Sequence, residues 1–214
     1  MDGLTIQDRI SRGLGTAARR IGLPTDAFRP KSPADPLAKA NRFLHLRATF
    51  SAPDGRFAQP NGYGAPLWHG VFDAAYTRPG DYLVQSAGTW FVAAQQHLLP
   101  PLCVKTNRVV SFSRAAQSGT IGVNGYGGVV RSSAVPLLTG WPASVLTSSV
   151  RGHPSADLPA DAEIALWSVL LPLSASIVLR SSDLMSDDLG RLGVISATEL
   201  TDLGWRLVVK QVST

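Results

Sequence analysis

Asp81-Tyr82-Leu83-Val84, followed by Ser86-Ala87-Gly88 and Thr89-Trp90-Phe91-Val92, reads as strand, tight turn, strand. The pattern returns further along. Asp183-Leu184-Met185 leads through Asp187-Asp188-Leu189-Gly190 into Arg191-Leu192-Gly193-Val194. One shift of about 102 positions superposes Asp81 on Asp183, Gly88 on Gly190, Val92 on Val194 and Leu98 on Leu200. Two related hairpins in one chain point to a β-rich scaffold built from two modules.

The segments around the hairpins agree with that reading. Phe43 to Phe50 alternates, with Leu44, Leu46, Ala48 and Phe50 on one face and Phe43, His45, Arg47 and Thr49 on the other, as a half-buried strand does. Leu102 to Phe112 and Trp205 to Val212 supply further strands, and others are expected near 143–150, 163–171 and 176–180. Turn signals stand at Pro53-Asp54-Gly55, Asn61-Gly62-Tyr63-Gly64 and Arg78-Pro79-Gly80. From Ser113 to Gly140 the chain is rich in Gly and Ser and reads as a connecting loop or mobile hairpin. With 214 residues, 20 glycines and 15 prolines, short strands joined by many turns are favoured over long helices. A hydrophobic content of 44% against 16% charged residues excludes a wholly disordered chain.

One helix is legible, over residues 5–21, with Thr5 placed to cap it and Asp8 three residues on. Ile6, Ile10, Leu14, Ala17 and Ile21 fall within about 80° of arc, with Arg12 and Arg19 roughly opposite. Gly13 and Gly15 each cost about 1 kcal/mol relative to Ala, so the helix needs a docking surface. That surface is either its own domain or a neighbouring subunit. Pro24, Pro30, Pro33 and Pro36 then predict an extended arm without regular structure. The expected organisation is a helix and Pro-rich arm over 1–40, a first β module over 41–135 and a second over 136–214. The fold class is mainly β, with two small barrel-like or sandwich-like modules, an N-terminal amphipathic helix and the extended arm.

Charge is segregated. The net charge is +5, and residues 1–50 hold nine Lys and Arg against Asp2, Asp8, Asp26 and Asp35, so the whole excess sits at the N-terminal end. Such an arm suits either phosphate contacts or an acidic protein partner. No aromatic residue is interleaved with the helix arginines for base stacking.

Reactive patterns are scarce. His45, His69, His97 and His153 are not spaced as metal ligands, and the single Cys103 lies in an apolar run. The Gly122–Gly128 cluster lacks the Lys-Ser/Thr of a phosphate loop, and Asp157, Asp161 and Glu163 surround Pro159 in a loop-like context. The expectation is therefore a protein that is not an enzyme, with no catalytic, cofactor or metal site. The start Met-Asp-Gly-Leu lacks a secretory layout, and the longest apolar stretch, Ile164 to Leu179, is interrupted by Pro172. No membrane association is expected.

Arg78-Pro-Gly-Asp-Tyr-Leu-Val, Gly88-Thr-Trp-Phe-Val-Ala-Ala-Gln-Gln and Leu98-Leu-Pro-Pro-Leu-Cys-Val-Lys-Thr-Asn-Arg-Val-Val resemble structural proteins of tailed bacteriophages and prophages. Ser182-Asp183 through Gly190, with Thr201-Asp-Leu-Gly-Trp-Arg-Leu, is similar to the small β-barrel proteins of head-to-tail joints, the head-completion and stopper proteins. Ser182 stands where that pattern has Gly. The opening Asp8-Arg-Ile-Ser-Arg-Gly-Leu-Gly-Thr-Ala-Ala-Arg-Arg-Ile-Gly is also similar to such proteins.

The resemblance implies a virion structural protein of the connector, neck or collar, assembled in the host cytoplasm as a homo-oligomeric ring. Its partners would be portal, adaptor or tail-tube proteins, with packaged DNA nearby. Ile6, Ile10, Arg12, Leu14 and Arg19 are the expected interface residues. The alternative is a basic nucleic-acid-binding β-barrel protein.

Overall fold

The computed structural model describes residues 3–51, 66–115, 134–147, 166–173 and 177–212. Among these residues, helix α1 (Gly3–Ile21) precedes twelve strands: β1 (Leu23–Phe28), β2 (Arg42–Ser51), β3 (Leu67–Val71), β4 (Tyr82–Gln85), β5 (Gly88–Ala94), β6 (Leu102–Lys105), β7 (Arg108–Ala115), β8 (Ala134–Thr147), β9 (Leu166–Leu171), β10 (Leu184–Asp187), β11 (Leu192–Thr201) and β12 (Gly204–Gln211). They form two closed barrels. The first has the order β1-β2-β3-β6-β5-β4 and the second β7-β8-β9-β12-β11-β10, so one topology occurs twice. Closure gives each of these strands two neighbours.

Register extends the repeat to single residues. Phe28 pairs with Tyr82 where Ser113 pairs with Leu184, and Leu83 pairs with Trp90 where Met185 pairs with Gly193. The β5–β6 ladder shifts between Val92 and Ala94, and the β11–β12 ladder between Ile195 and Ala197. The sequence shift of 102 holds for β4 and β10, but β11 follows β5 by 103. Gln85 closes directly on Gly88, whereas Asp187 NH reaches Arg191 O over a turn one residue longer. Val92 therefore corresponds to Ile195, not Val194.

The change of barrel comes at Thr106–Asn107, not near 132–140. The expected strand from Leu102 to Phe112 is two strands, one in each barrel. Asn107 fixes this joint: its NH donates to Ala143 O at 3.0 Å, its Nδ2 to Val145 O at 2.9 Å, and its Oδ1 accepts from Val145 NH at 2.8 Å. A two-residue crossing carries almost no turn chemistry to read, which is why it escapes a scan for loops. Within the stretch read as a loop, β8 already begins at Ala134. No strand forms at 177–180.

The Pro-rich arm is also corrected. Its first part is β1, and Pro24 is tolerated because at that position β1 pairs only with β2; the β4 ladder starts at Asp26. Residues 33–35 then lie on the chain's own second barrel. Thr139 NH and the Trp141 indole both donate to Pro33 O, at 3.0 and 2.6 Å, and Asp35 NH donates to Thr139 O at 3.0 Å.

Ala27, Ala48, Phe72, Leu83, Trp90, Val92 and Cys103 fill the first barrel. The outward residues of β4, β5 and β6, namely Tyr82, Phe91 and Val104, share one continuous core with Trp141, Leu171 and Leu179 of the second barrel. Both faces of β5 are thus buried, which explains its run of four buried residues, Trp90-Phe91-Val92-Ala93.

Candidate assembly surface

Two buried carboxylates resemble catalytic groups, and the structure accounts for both as supports. Asp81 and Asp183 are 1% and 2% exposed. Asp81 takes a bidentate pair from Arg29, Nε to Oδ1 at 2.8 Å and Nη2 to Oδ2 at 2.7 Å, plus the Arg78 NH at 2.9 Å. Asp183 takes the same three from Arg114, at 2.7 and 2.9 Å, and from the Arg180 NH at 2.8 Å. Arg29 also donates to Tyr76 O, and Arg114 to Val178 O. Each pair joins the end of a barrel's first strand to the turn entering its fourth, and the hydrogen bonds to carboxylate raise both guanidinium pKa values. Gly80 and Ser182 precede these aspartates at φ +96° and +77°, so Ser182 holds the left-handed geometry that the Gly-Asp pattern requires. The signal that could have found the pairs is an Arg at the end of each first strand, Arg29 just after β1 and Arg114 in the last residues of β7.

Other carboxylates are similarly paired, whereas His69 Nδ1 and the Trp68 and Trp90 indole nitrogens are buried without a hydrogen-bond partner among the described residues. Asp26 accepts from His45 at 2.8 Å and from Arg42 at 3.4 Å, and these partners hold its carboxyl below the ordinary value, the His45 bond most. Asp187 is pushed up by burial, yet the Arg191 side chain and backbone bonds bring it below the ordinary carboxylate value. Burial pushes the Cys103 thiol far up. The Lys105 ammonium lies 5.7 and 5.5 Å from the Trp68 and Trp90 rings, and Arg191 lies 4.6 Å from Trp167. Among the described residues no group of His, Cys, Asp and Glu is arranged to hold a metal ion. His153, the Gly122–Gly128 cluster and Asp157, Asp161 and Glu163 lie outside the described residues.

Helix α1 begins at Gly3, so Thr5 lies inside its first turn and not at the cap. The helix docks on its own barrel, but through small residues. Ser11 and Ala18 are 5% and 1% exposed, and Gly15 is buried so closely that an added Cβ would stand 2.9 Å from Asp73 Cβ. Gln7 on the same face accepts from Leu98 NH at 2.7 Å. The expected stripe lies beside this face. Ile10 and Leu14 are half-buried, Ala17 is exposed, and Ile6 and Ile21 are 36% and 68% exposed. Arg12 and Arg19 are exposed. The helix therefore carries an apolar flank and a basic flank that its own barrel does not cover.

A second apolar surface lies on the other barrel. Leu184, Leu192, Val194 and Val212, with Ser113 and Ala134, line an open groove of about 400 Å³ across β10 and β11. Among the described residues no helix is long and apolar enough to cross a membrane.

No family model matches this sequence, and neither the curated proteins nor the solved structures contain a match to it.

Proposed function

We propose that this chain is a non-enzymatic virion structural protein of the head–tail connector, neck or collar of a tailed bacteriophage, assembling through contacts between subunits. The observation that carries the reading is the duplicated closed barrel locked by twin Arg–Asp turns, with apolar surfaces left open at α1 and at β10–β11. Each described strand of such a body has two neighbours, so its associations run through side-chain surfaces. The phage-like stretches quoted above support the placement in a neck. Repetition around an axis would let modest pairwise contacts hold a particle together.

The test is deletion of the gene in its phage or prophage, followed by electron microscopy of lysates. The expected result is separate heads and tails, restored by the gene supplied in trans. Normal joined particles from the deletion strain would overturn the reading.

A second reading, nucleic-acid binding, is favoured by the exposed Arg12, Arg19 and Arg20 on α1. It predicts DNA or RNA binding that weakens steeply with salt; absence of binding at low salt removes it.

A further inference from the structure

We infer that the β10–β11 groove of one copy receives helix α1 of a second copy, in a head-to-tail contact. The argument starts from the internal repeat. In the first barrel the outward face of β4, β5 and β6 is not free. Tyr82, Phe91 and Val104 are fully buried against the second barrel, and the Tyr82 hydroxyl donates to Pro142 O at 2.7 Å. By strand register the same positions in the second barrel are Leu184, Val194 and Lys210. Two of these, Leu184 and Val194, line the open groove. A face that one barrel buries against a neighbour is therefore left open by the described residues of the other. Smaller side chains in place of Tyr82 and Phe91 make it concave.

The repeat also identifies what fits there. The first barrel rests on β8 of the second at Trp141–Ala143. The matching stretch of the first barrel is β2 at Leu46–Ala48, because Leu23 pairs with Ala48 where Arg108 pairs with Ala143. That stretch is overlaid by α1 and the turn that follows it. Gly22 lies against the Ala48 backbone, and Arg47 donates to Gly22 O at 3.0 Å. The surface offered to a following barrel is consequently α1, whose flank beside the docking face carries Ile6, half-buried Ile10 and Ile21 as an apolar ridge. A ridge on one end and an apolar groove on the other make a heterologous contact, which closes into a ring or continues as a filament. The pairing rests on the assembly reading above for its biological sense and names the partner of that surface.

Sedimentation velocity of the full chain across a concentration series tests it. Wild type is expected to self-associate. Leu192→Glu with Val194→Glu, and separately Ile10→Glu with Ile21→Glu, are each expected to weaken this by roughly tenfold or more, since a charge is driven into an apolar contact. Mixing the two variants is expected to yield a dimer that stops at two, because one intact groove and one intact helix remain. Wild type that stays monomeric, or variants that mix without pairing, overturns the inference.

A readout independent of variant folding is a photo-crosslinking residue at Ile10. Crosslinks to residues 184–194 of another copy are expected, and crosslinks only elsewhere contradict the pairing. Correct crosslinks in a protein absent from particles would leave the pairing standing and the neck assignment fallen. Particle incorporation with crosslinks elsewhere would do the reverse.

Discussion

At the scale of single residues, the twin Arg–Asp turns make an asymmetric prediction. Arg29→Ala leaves the Asp81 carboxylate buried without its partner and is expected to cost roughly 3–5 kcal/mol, because burial of an unpaired charge is expensive. Asp81→Ala leaves a guanidinium that is 29% exposed and can return to water, so its cost is expected to be smaller. Urea titration of both variants checks the order, and equal costs would contradict it. Ser182→Gly is expected to stabilise by about 0.5–1 kcal/mol through relief of left-handed strain, while Gly80→Ala destabilises. Asp187 gives a pH test. Its folded pKa lies below the unfolded value, so its stabilisation is complete above about pH 4 and fades as pH falls through the folded value. The stability gap between wild type and Asp187→Asn, measured by denaturant titration, should therefore shrink below that pH.

At the scale of elements, the hairpins, the alternating β2 and the helix were legible in the sequence because each has a period or a turn with its own chemistry. Two things were not. β1 is hidden inside a Pro-rich run, since nothing in the sequence shows that Pro24 pairs with β2 alone and that the β4 ladder starts only at Asp26. The docking face of α1 is the other, because the largest apolar residues do not mark it: the helix meets its barrel through the small side chains of Ser11, Gly15 and Ala18, with Gly15 against Asp73. The expected interface residues Ile6, Ile10, Arg12, Leu14 and Arg19 consequently lie beside or opposite the contact with the chain's own barrel, where a neighbour can reach them. Gly15→Leu tests the docking. Hydrogen exchange across residues 3–21 is expected to speed up while the barrel strands keep their protection; unchanged exchange would mean that the close approach is not what holds the helix.

At the scale of the whole molecule, the two barrels share a core and a joint held by Asn107, and residues 29–41 span both. They are expected to unfold as one unit. Tyr82→Ala removes a buried ring and the hydrogen bond to Pro142 O, at a cost of roughly 3–5 kcal/mol, and is expected to split calorimetric melting into two transitions where wild type shows one. On the proposed reading, the double barrel builds with copies of itself through α1 and the β10–β11 groove. The most direct check of that role is peptide mass spectrometry of gradient-purified phage particles. The account predicts the chain in intact particles at a fixed ratio to the portal protein. Infectious particles that contain none of it would contradict the account at its centre.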